Sequence, residues 1–334
     1  MSEPAQTICL TPTRNEGWII DKFLSAASQW ADHIIVADQH STDDTVEQIR
    51  RTPGALLVIN DSTAFNEPDR QRILIEHARH ILGKRILIAL DADEALSANA
   101  VHSPEWKRLR DAEPGTIVRF PWVNILPGFE RAWIPPGLIP CGYVDDGKEH
   151  VGTPIHSPRV PYSPAGPFLD CHDIVVLHFQ YVAWNRMASK HRWYQAWEHV
   201  THRQKGALRI FREYHHMYGS WDESEMHRVD PAWFDGYSQR GIDFQSLRSE
   251  AVTWWDVEVL KMLEQHGPDL FRKIDIWDKD WEAVAAVSGN TWRDLSDPRS
   301  VFDKVAHWTL AATQRDRTSV CARVVERMLS MTGW

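Results

Sequence analysis

The residues best suited to chemistry lie in one short stretch. Residues 84–96 read KRILIALDADEAL, an apolar run that delivers Asp91, Asp93 and Glu94. Carboxylates packed this closely repel one another and raise one another's pKa unless something compensates them. A hard divalent cation such as Mg²⁺ or Mn²⁺ does so, because it prefers carboxylate and phosphate oxygens. The run before them is rich in β-branched isoleucine and suits a strand buried on both faces. Open α/β sheets bind ligands beyond the carboxyl ends of such strands. The competing reading is an acidic turn after a core strand, with residues 94–96 opening a helix, since Asp-x-Asp alone is common.

The elements that must position these acids decide between the two. Residues 7–11 form an apolar strand that breaks at Pro12, and residues 13–17 a loop. Residues 18–30 read as a helix with Ile19, Ile20, Phe23, Leu24 and Ala27 on one side. A second strand, 33–37, ends at Asp38, and Ser41 or Thr42 then caps a helix with acids in its first turn. Val46 and Ile49 of that helix face inward. Residues 56–59 are a third strand. Residues 66–82 are a helix with Ile73, Leu74, His77, Ala78 and Ile81 on one side, stopped by Gly83. Alternation with short links means a parallel sheet with right-handed crossovers. Its carboxyl edge gathers Arg14, Asn15, Glu16, Asp38, residues 69–72, Asp91 and Asp93. That set offers acids for a metal and arginines for phosphates. A dinucleotide-binding domain shares the alternation, but no G-x-G-x-x-G follows the first strand and no P-loop occurs. A metal must therefore hold the phosphates.

Three segments carry a family resemblance: TPTRNEGWII, IIVADQHSTDDTVEQI and ILIALDADEAL. In this order and spacing they resemble the N-terminal half of family 2 glycosyltransferases of the GT-A fold, over roughly residues 6–100. The resemblance implies an α/β fold with a Rossmann-like nucleotide-sugar-binding sheet and helices on both faces. It implies sugar transfer from a nucleotide-diphosphate sugar, UDP-sugars favoured, with Mn²⁺ or Mg²⁺. Thr11, Pro12, Arg14, Asn15 and Glu16 would line the nucleotide pocket, and Asp38 would accept a hydrogen bond from the base. Asp91 would contact ribose or metal, Ala92 would lie between, and Asp93 would bind the metal bridging the diphosphate. Arg70 and Arg72 stand where an Arg-Asn pair is usual, and Gln39-His40 departs from the family pattern.

Past residue 100 the pattern loosens. Residues 104–112 read as a helix and 116–123 as a strand, and 127–167 are rich in Pro and Gly with little periodicity. Such a stretch is usually functional or a connector, and here it stands where an acceptor-binding loop would lie. Residues 173–179, DIVVLHF, form another buried strand. His178 at its end is either a satisfied core histidine or, as the resemblance implies, the third metal ligand beside Asp91 and Asp93. Residues 185–217 are helical and basic, with Arg186, Lys190, Arg192, Arg203, Lys205, Arg209 and Arg212 among interleaved aromatics. A solvated basic face, diphosphate contacts by Arg186 or Lys190, and docking on an anionic membrane are the three readings. Residues 218–247 are loop-like. Residues 250–265, 281–287, 299–313 and 319–331 are helical, with Trp254, Trp255, Trp277, Trp281, Trp292 and Trp308 in core or interface.

The chain has 334 residues, enough for about two domains, and 43% of them are hydrophobic, enough for a sizeable core. The expected division is a GT-A domain over 1–180, with nucleotide-sugar and acceptor halves meeting near residue 100, and a helical region over 181–334. A net charge of -9 argues against a general nucleic-acid binder. Four dispersed cysteines form no C-x-x-C pair, and no signal-peptide pattern or apolar run of membrane-spanning length appears. A cytoplasmic protein, peripheral at most to the inner face of the membrane, is the expectation. If the resemblance extends to stereochemistry, the transfer inverts, and Asp170, Asp173 or Glu149 takes the proton of the acceptor hydroxyl, with Asp145 and Asp146 less well placed. Glu94 could orient the acceptor, a glycan or glycolipid of bacterial surface-polysaccharide or glycoconjugate synthesis. The rivals are a nucleotidyltransferase, which would show a Gly-rich loop after the first strand where TPTRNEG has one Gly, and an inactive glycan-binding module on the same fold, which would have no need of Glu16, Asp38, Asp91 and Asp93.

Overall fold

A computed structural model describes residues 5–215, 223–289, 292 and 295–334. The chain divides into two compact units, Met1–Ala183 with Ser224–Arg248, and Trp184–Glu223 with Ser249–Trp334. Sequence suggests one crossing near residue 180; the structure has three, because Ser224–Arg248 returns to the first unit. That segment brings Tyr237, Ile242, Phe244 and Leu247 to an apolar cluster around Val123, Ile125, Val175, Leu177 and Phe179.

The first unit is the α/β fold expected from the alternation. Its strands are β1 (Gln6–Thr13), β2 (His33–Asp38), β3 (Ala55–Ile59), β4 (Arg85–Ala89), β5 (Glu94–Leu96), β6 (Ile117–Ile125), β7 (Arg131–Trp133), β8 (Leu138–Val144), β9 (Phe168–Asp170), β10 (Val176–His178) and β11 (Met226–Arg228). Its helices include α1 (Ile20–Ala27), α2 (Thr45–Arg51), α3 (Glu67–Arg79) and α4 (Pro104–Asp111). The order β3-β2-β1-β4 is parallel, β8 runs antiparallel to β4, and β6 antiparallel to β8. Past β8, β6 pairs with β7 and with β10, and β10 pairs antiparallel with β5.

Side chains alternate across the central strands, which builds two layers. Cys9, Ile34, Val36, Ile86 and Ile88 pack under α1 and α4. Ile8, Leu10, Ile35, Leu87 and Ala89 pack under α3, through Leu74, Ile75 and Ala78. β1 runs on through Pro12 where sequence ends it. Its pairing with β4 stops at Leu10–Ala89, so Pro12 lies where β1 pairs only with β2, an edge position that tolerates a missing N–H. β8 lies inside the stretch expected to be irregular. Pro140 and Gly142 hide it, yet both are placed: Pro140 sits at the register shift against β6, and a Cβ on Gly142 would come within 2.7 Å of Val118 Cβ. Residues 94–96 are strand, not the start of a helix.

The second unit is helical: α5 (Trp184–Thr201), α6 (Ala207–Tyr214), α8 (Trp254–His266), α9 (Trp281–Val287), α10 (Val301–Ala312) and α11 (Val320–Met331), while the short α7 (Asp235–Ser238) belongs to the first unit. Part of the basic stretch expected over 185–217 lies outside the described residues. Of the rest, Arg186, Arg192, Lys205 and Arg212 turn to internal partners, whereas Arg203 and Arg209 are exposed. Arg192 reaches Asp278 at 3.0 Å and Asp256 at 3.4 Å, Arg212 reaches Glu326 at 2.8 Å, Lys205 pairs with Glu198 and Glu213, and Arg186 lies 4.6 Å over the Trp255 ring. This corrects the solvated and membrane-facing readings of Arg192, Lys205 and Arg212. Trp255, Trp277 and Trp281 are core, whereas Trp308 is exposed. Among the described residues no helix is long and apolar enough to cross a membrane.

Asp145, after β8, is fixed between Arg79 of α3 at 2.9 Å and Arg85 of β4 at 3.0 Å, with its side chain out of solvent. Burial alone would raise its pKa, but hydrogen bonds from Arg79, the Gly147 N–H and Arg85 hold it below the usual carboxylate value. A carboxyl with a lowered folded pKa stabilises the fold above its unfolded pKa and loses that contribution as pH falls through the folded value. Asp145→Asn should cost about 3 kcal/mol at neutral pH in urea denaturation and should flatten the acid limb of the stability curve below about pH 4.

Candidate functional site

The site grows from the end of β4. Leu90 N still donates to Leu10 O, and the chain then turns at once, Glu94 N donating to Asp91 O at 3.0 Å. The turn returns the chain as β5 beside β10, with Glu94 opposite His178. Phe179 N donates to Asp93 O at 2.8 Å, so the backbone of Asp93 is locked to the strand that carries His178.

Glu94 is fully buried, and its carboxylate is saturated with donors. Asp91 N donates at 3.0 Å, Trp122 Nε1 of β6 at 2.8 Å, and Arg159 approaches both oxygens. The same guanidinium reaches Asp91 Oδ2 at 2.9 Å. Burial works against the charge of Arg159, yet Asp91 and Glu94 hold its pKa well above the ordinary value. Arginine therefore compensates Glu94 and Asp91, the latter one of the two acids that sequence assigns to a metal. Arg159 arrives on a strap that follows α3: Arg79 Nη2 donates to Lys148 O, Glu67 N to Pro154 O at 3.1 Å, and Ser157 N to Glu67 Oε2 at 2.7 Å. Burial, with Asp91 nearby, raises the Glu67 pKa.

Asp93 and His178 form the other half. Asn124 Nδ2 donates to Trp122 O at 3.5 Å, which leaves Asn124 Oδ1 to accept from His178 Nδ1 at 2.7 Å. In the neutral ring the lone pair is then at Nε2, and Nε2 faces Asp93 Oδ2 at 3.5 Å. Two acceptors so placed can share a cation between them. Two ligands about 2.1 Å from one ion stand roughly 3.0–3.5 Å apart, and a ring nitrogen held by an outer carbonyl is how metal-binding histidines are oriented. Trp122 stacks on the imidazole at 4.6 Å. Asp93 and His178 thus fit a metal. Asp91 does not complete a preformed set: the ligand atoms of the three do not gather within 4.8 Å of one another.

The other predicted residues meet at the same edge. Asn15, with φ 56°, accepts Thr42 N at 2.7 Å and donates its own N–H to Ser41 Oγ. Asp38 accepts Ser41 N at 3.0 Å and Thr13 Oγ1 at 3.1 Å. Glu16 accepts Trp18 Nε1 at 2.7 Å. Gly17 packs against the second loop, where a Cβ would stand 2.0 Å from Asp44 Oδ1 and would have to displace that exposed carboxylate. Thr11 and Pro12 are buried in β1, and Arg14 is half-buried beyond them. Gln39 and His40 tie down residues 60–65: Gln39 Nε2 donates to Ser62 O and Ala64 O, and His40 Nε2 lies 3.1 Å from Asp61 O. On α3, Arg70 lies over Phe65 at 4.9 Å and Arg72 pairs with Asp69.

The structure places the three candidate bases away from the Asp93–His178 pair. Asp170 pairs with Arg119 of β6, whereas His178 pairs with Asn124, five residues and about 16 Å further along that strand. Hydrogen bonds from Arg119 also lower the Asp170 pKa, which weakens it as a base. Asp173 accepts from Asn99 Nδ2 at 3.2 Å, past the far end of β5. Glu149 follows β8, whose Val144 pairs with Ile86 at the start of β4, so it leaves the sheet at the opposite edge with Asp145 and Asp146. Sequence missed Arg159, Trp122 and Asn124. One of the few arginines in a Pro- and Gly-rich stretch was the signal for the first; nothing in the sequence marked the others.

No family model and no curated protein matches this chain. Among solved structures it is similar to glucosyl-3-phosphoglycerate synthase from Mycobacterium tuberculosis in complex with Mn²⁺, UDP and glucosyl-3-phosphoglycerate: 20% identity, TM-score 0.28, over 35% of this chain and 44% of that one. The same enzyme with Mg²⁺ and UDP gives 20% identity, TM-score 0.29, and 35% and 43% of the two chains. A mycobacterial protein gives 18% identity, TM-score 0.28, and 36% and 41%. The matches span less than half of those chains, and likenesses this low carry no argument about fold or activity.

Arg159 and Glu94 should behave as one unit. Each single change, Arg159→Met and Glu94→Gln, strands a buried charge or polar group and should cost about 3 kcal/mol, while the double variant should cost clearly less than the sum. A urea double-mutant cycle reads the coupling, expected to exceed about 1 kcal/mol; additive costs would mean that the contact is incidental.

Proposed function

We propose that this protein is a metal-dependent glycosyltransferase that moves a sugar from a nucleotide-diphosphate sugar, UDP-sugars favoured, to an acceptor hydroxyl on a glycan or glycolipid. Bacterial surface-polysaccharide or glycoconjugate synthesis is the setting that the sequence resemblance favours. The observation that carries the reading is the pairing of Asp93 with His178 at the carboxyl edge of the sheet, His178 Nε2 facing the carboxylate while Asn124 holds the other ring nitrogen. Asp93 and His178 would hold Mn²⁺ or Mg²⁺, while Asp91, at the start of the same turn, stays paired with Arg159. When bound, the ion neutralises charge on the departing diphosphate.

The chain's own residues supply the rest. The loops of Arg14–Glu16 and Asp38–Thr42, fastened to one another, form a rigid floor for the nucleotide. Arg159 holds a fixed positive charge beside Asp91, where phosphate oxygens would arrive. A cavity of about 320 Å³ opens beside Arg159 between Trp122, Pro140, His156 and Tyr162, and its aromatic walls suit the apolar face of a sugar acceptor.

Calorimetric titration with UDP, GDP, ADP and CDP, with and without Mn²⁺, tests the reading on the wild type, Asp93→Ala and His178→Ala. One nucleotide should bind only with metal, and each variant should weaken that binding at least tenfold. Absence of metal-dependent binding to any nucleotide would remove the basis of the proposal.

A further inference from the structure

The last two helices of the second unit keep apolar residues on the side that faces solvent. α10 buries Asp303, Ala306, His307 and Leu310, a stripe of helical spacing. Opposite that stripe stand Val301, Phe302, Val305 and Trp308, the last 72% exposed. α11 buries Ala322 and Leu329 and exposes Val320, Val324, Met328 and Met331, which follow one another at helical intervals. Isolated surface apolar residues need no explanation, but two adjacent helices each with a continuous exposed apolar line do.

The charges beside these lines select the partner. Arg315 and Arg317 in the connection and Arg323 and Arg327 on α11 are exposed, and Asp316 is the one exposed acid among residues 315–331. Glu326 is half-buried and spent on Arg212 at 2.8 Å. On a chain of net charge -9 this is a locally cationic surface. We propose that α10 and α11 lie in the interface of an anionic membrane, their apolar lines in the acyl boundary and the arginines among anionic headgroups. Exposed Trp, Phe and Val flanked by Arg is the composition of helices that lie in the membrane plane. A bulky indole with a polar N–H suits that depth. A second copy fits less well, since a two-fold pairing sets this patch against itself and Asp316 is the one exposed acid of residues 315–331 that could meet the four arginines. The inference is independent of the transfer activity and goes beyond it.

Co-sedimentation of the full chain with vesicles of phosphatidylcholine, with and without phosphatidylglycerol, tests it. Binding should need phosphatidylglycerol. Arg323→Gln with Arg327→Gln should weaken it about 25-fold, at roughly fivefold per arginine near an anionic surface. Val305→Ser with Trp308→Ser should abolish it without lowering the melting temperature. Equal binding by that apolar variant, or no binding of the wild type to either vesicle, overturns the proposal. A dimer in analytical ultracentrifugation that Trp308→Ser disperses also overturns it, with a second copy as the occupant of the face.

Discussion

The buried carboxylate of Glu94 is the constraint on which the site depends. An ionised group without solvent is tolerated only where its lone pairs are met by donors. Glu94 meets that demand with donors from three separate places: the turn after β4, the indole of β6 and a guanidinium from the strap along α3. Each contact fixes something chemical. The Asp91 N–H bond sets the turn that aims Asp91 and Asp93. The Trp122 bond orients the ring that stacks on His178. The Arg159 bond pins a cation at the mouth of the same turn. One buried acid thus couples the acidic loop, the histidine strand and an otherwise irregular segment.

This explains which parts were legible in the sequence. β1 to β4 and their helices follow from periodicity, because β1, β2 and β4 are buried on both faces and each helix on one, while β3 at the sheet edge keeps Leu56 and Ile59 exposed. Asp38, Asp91 and Asp93 end those strands, so a parallel sheet necessarily brings them to one edge. β8 was hidden because its identity rests on its neighbours: Pro140 and Gly142 oppose strand propensity, and only packing against Val118 makes glycine the fitting residue. The base candidates failed for a related reason. Sequence shows that Asp170 and Asp173 precede a strand whose end carries His178, but not that a start and an end of neighbouring strands lie at different edges. The pairing of Arg159 was illegible because its partners are more than sixty residues away.

The first loops show a second limit. Asn15, Glu16 and Asp38 were read as ligand contacts, and the structure shows them engaged with each other's loops through Ser41, Thr42, Thr45 and Trp18. The two roles are compatible, since a carboxylate has about four acceptor positions. A side chain that organises its own loop is also preorganised toward whatever the loop holds.

Charge is distributed unevenly along the chain, and the net value conceals it. The acids Asp91 and Glu94 at the sheet edge are balanced locally by Arg159. Those of α5 and α6 are balanced within the helical unit, where Arg192, Lys205 and Arg212 face inward. Arg203 and Arg209 stay exposed there, and Arg315, Arg317, Arg323 and Arg327 cluster on the connection and the last helix, beside apolar lines that stay exposed among the described residues. A basic count over residues 185–217 does not separate the exposed Arg203 and Arg209 from the paired Arg192, Lys205 and Arg212, because a cation's position in the sequence does not reveal whether its partner is an internal carboxylate. What distinguishes α10 and α11 is the coincidence of exposed cations with exposed Val, Trp and Met on the same short pair of helices, a combination that water alone does not favour.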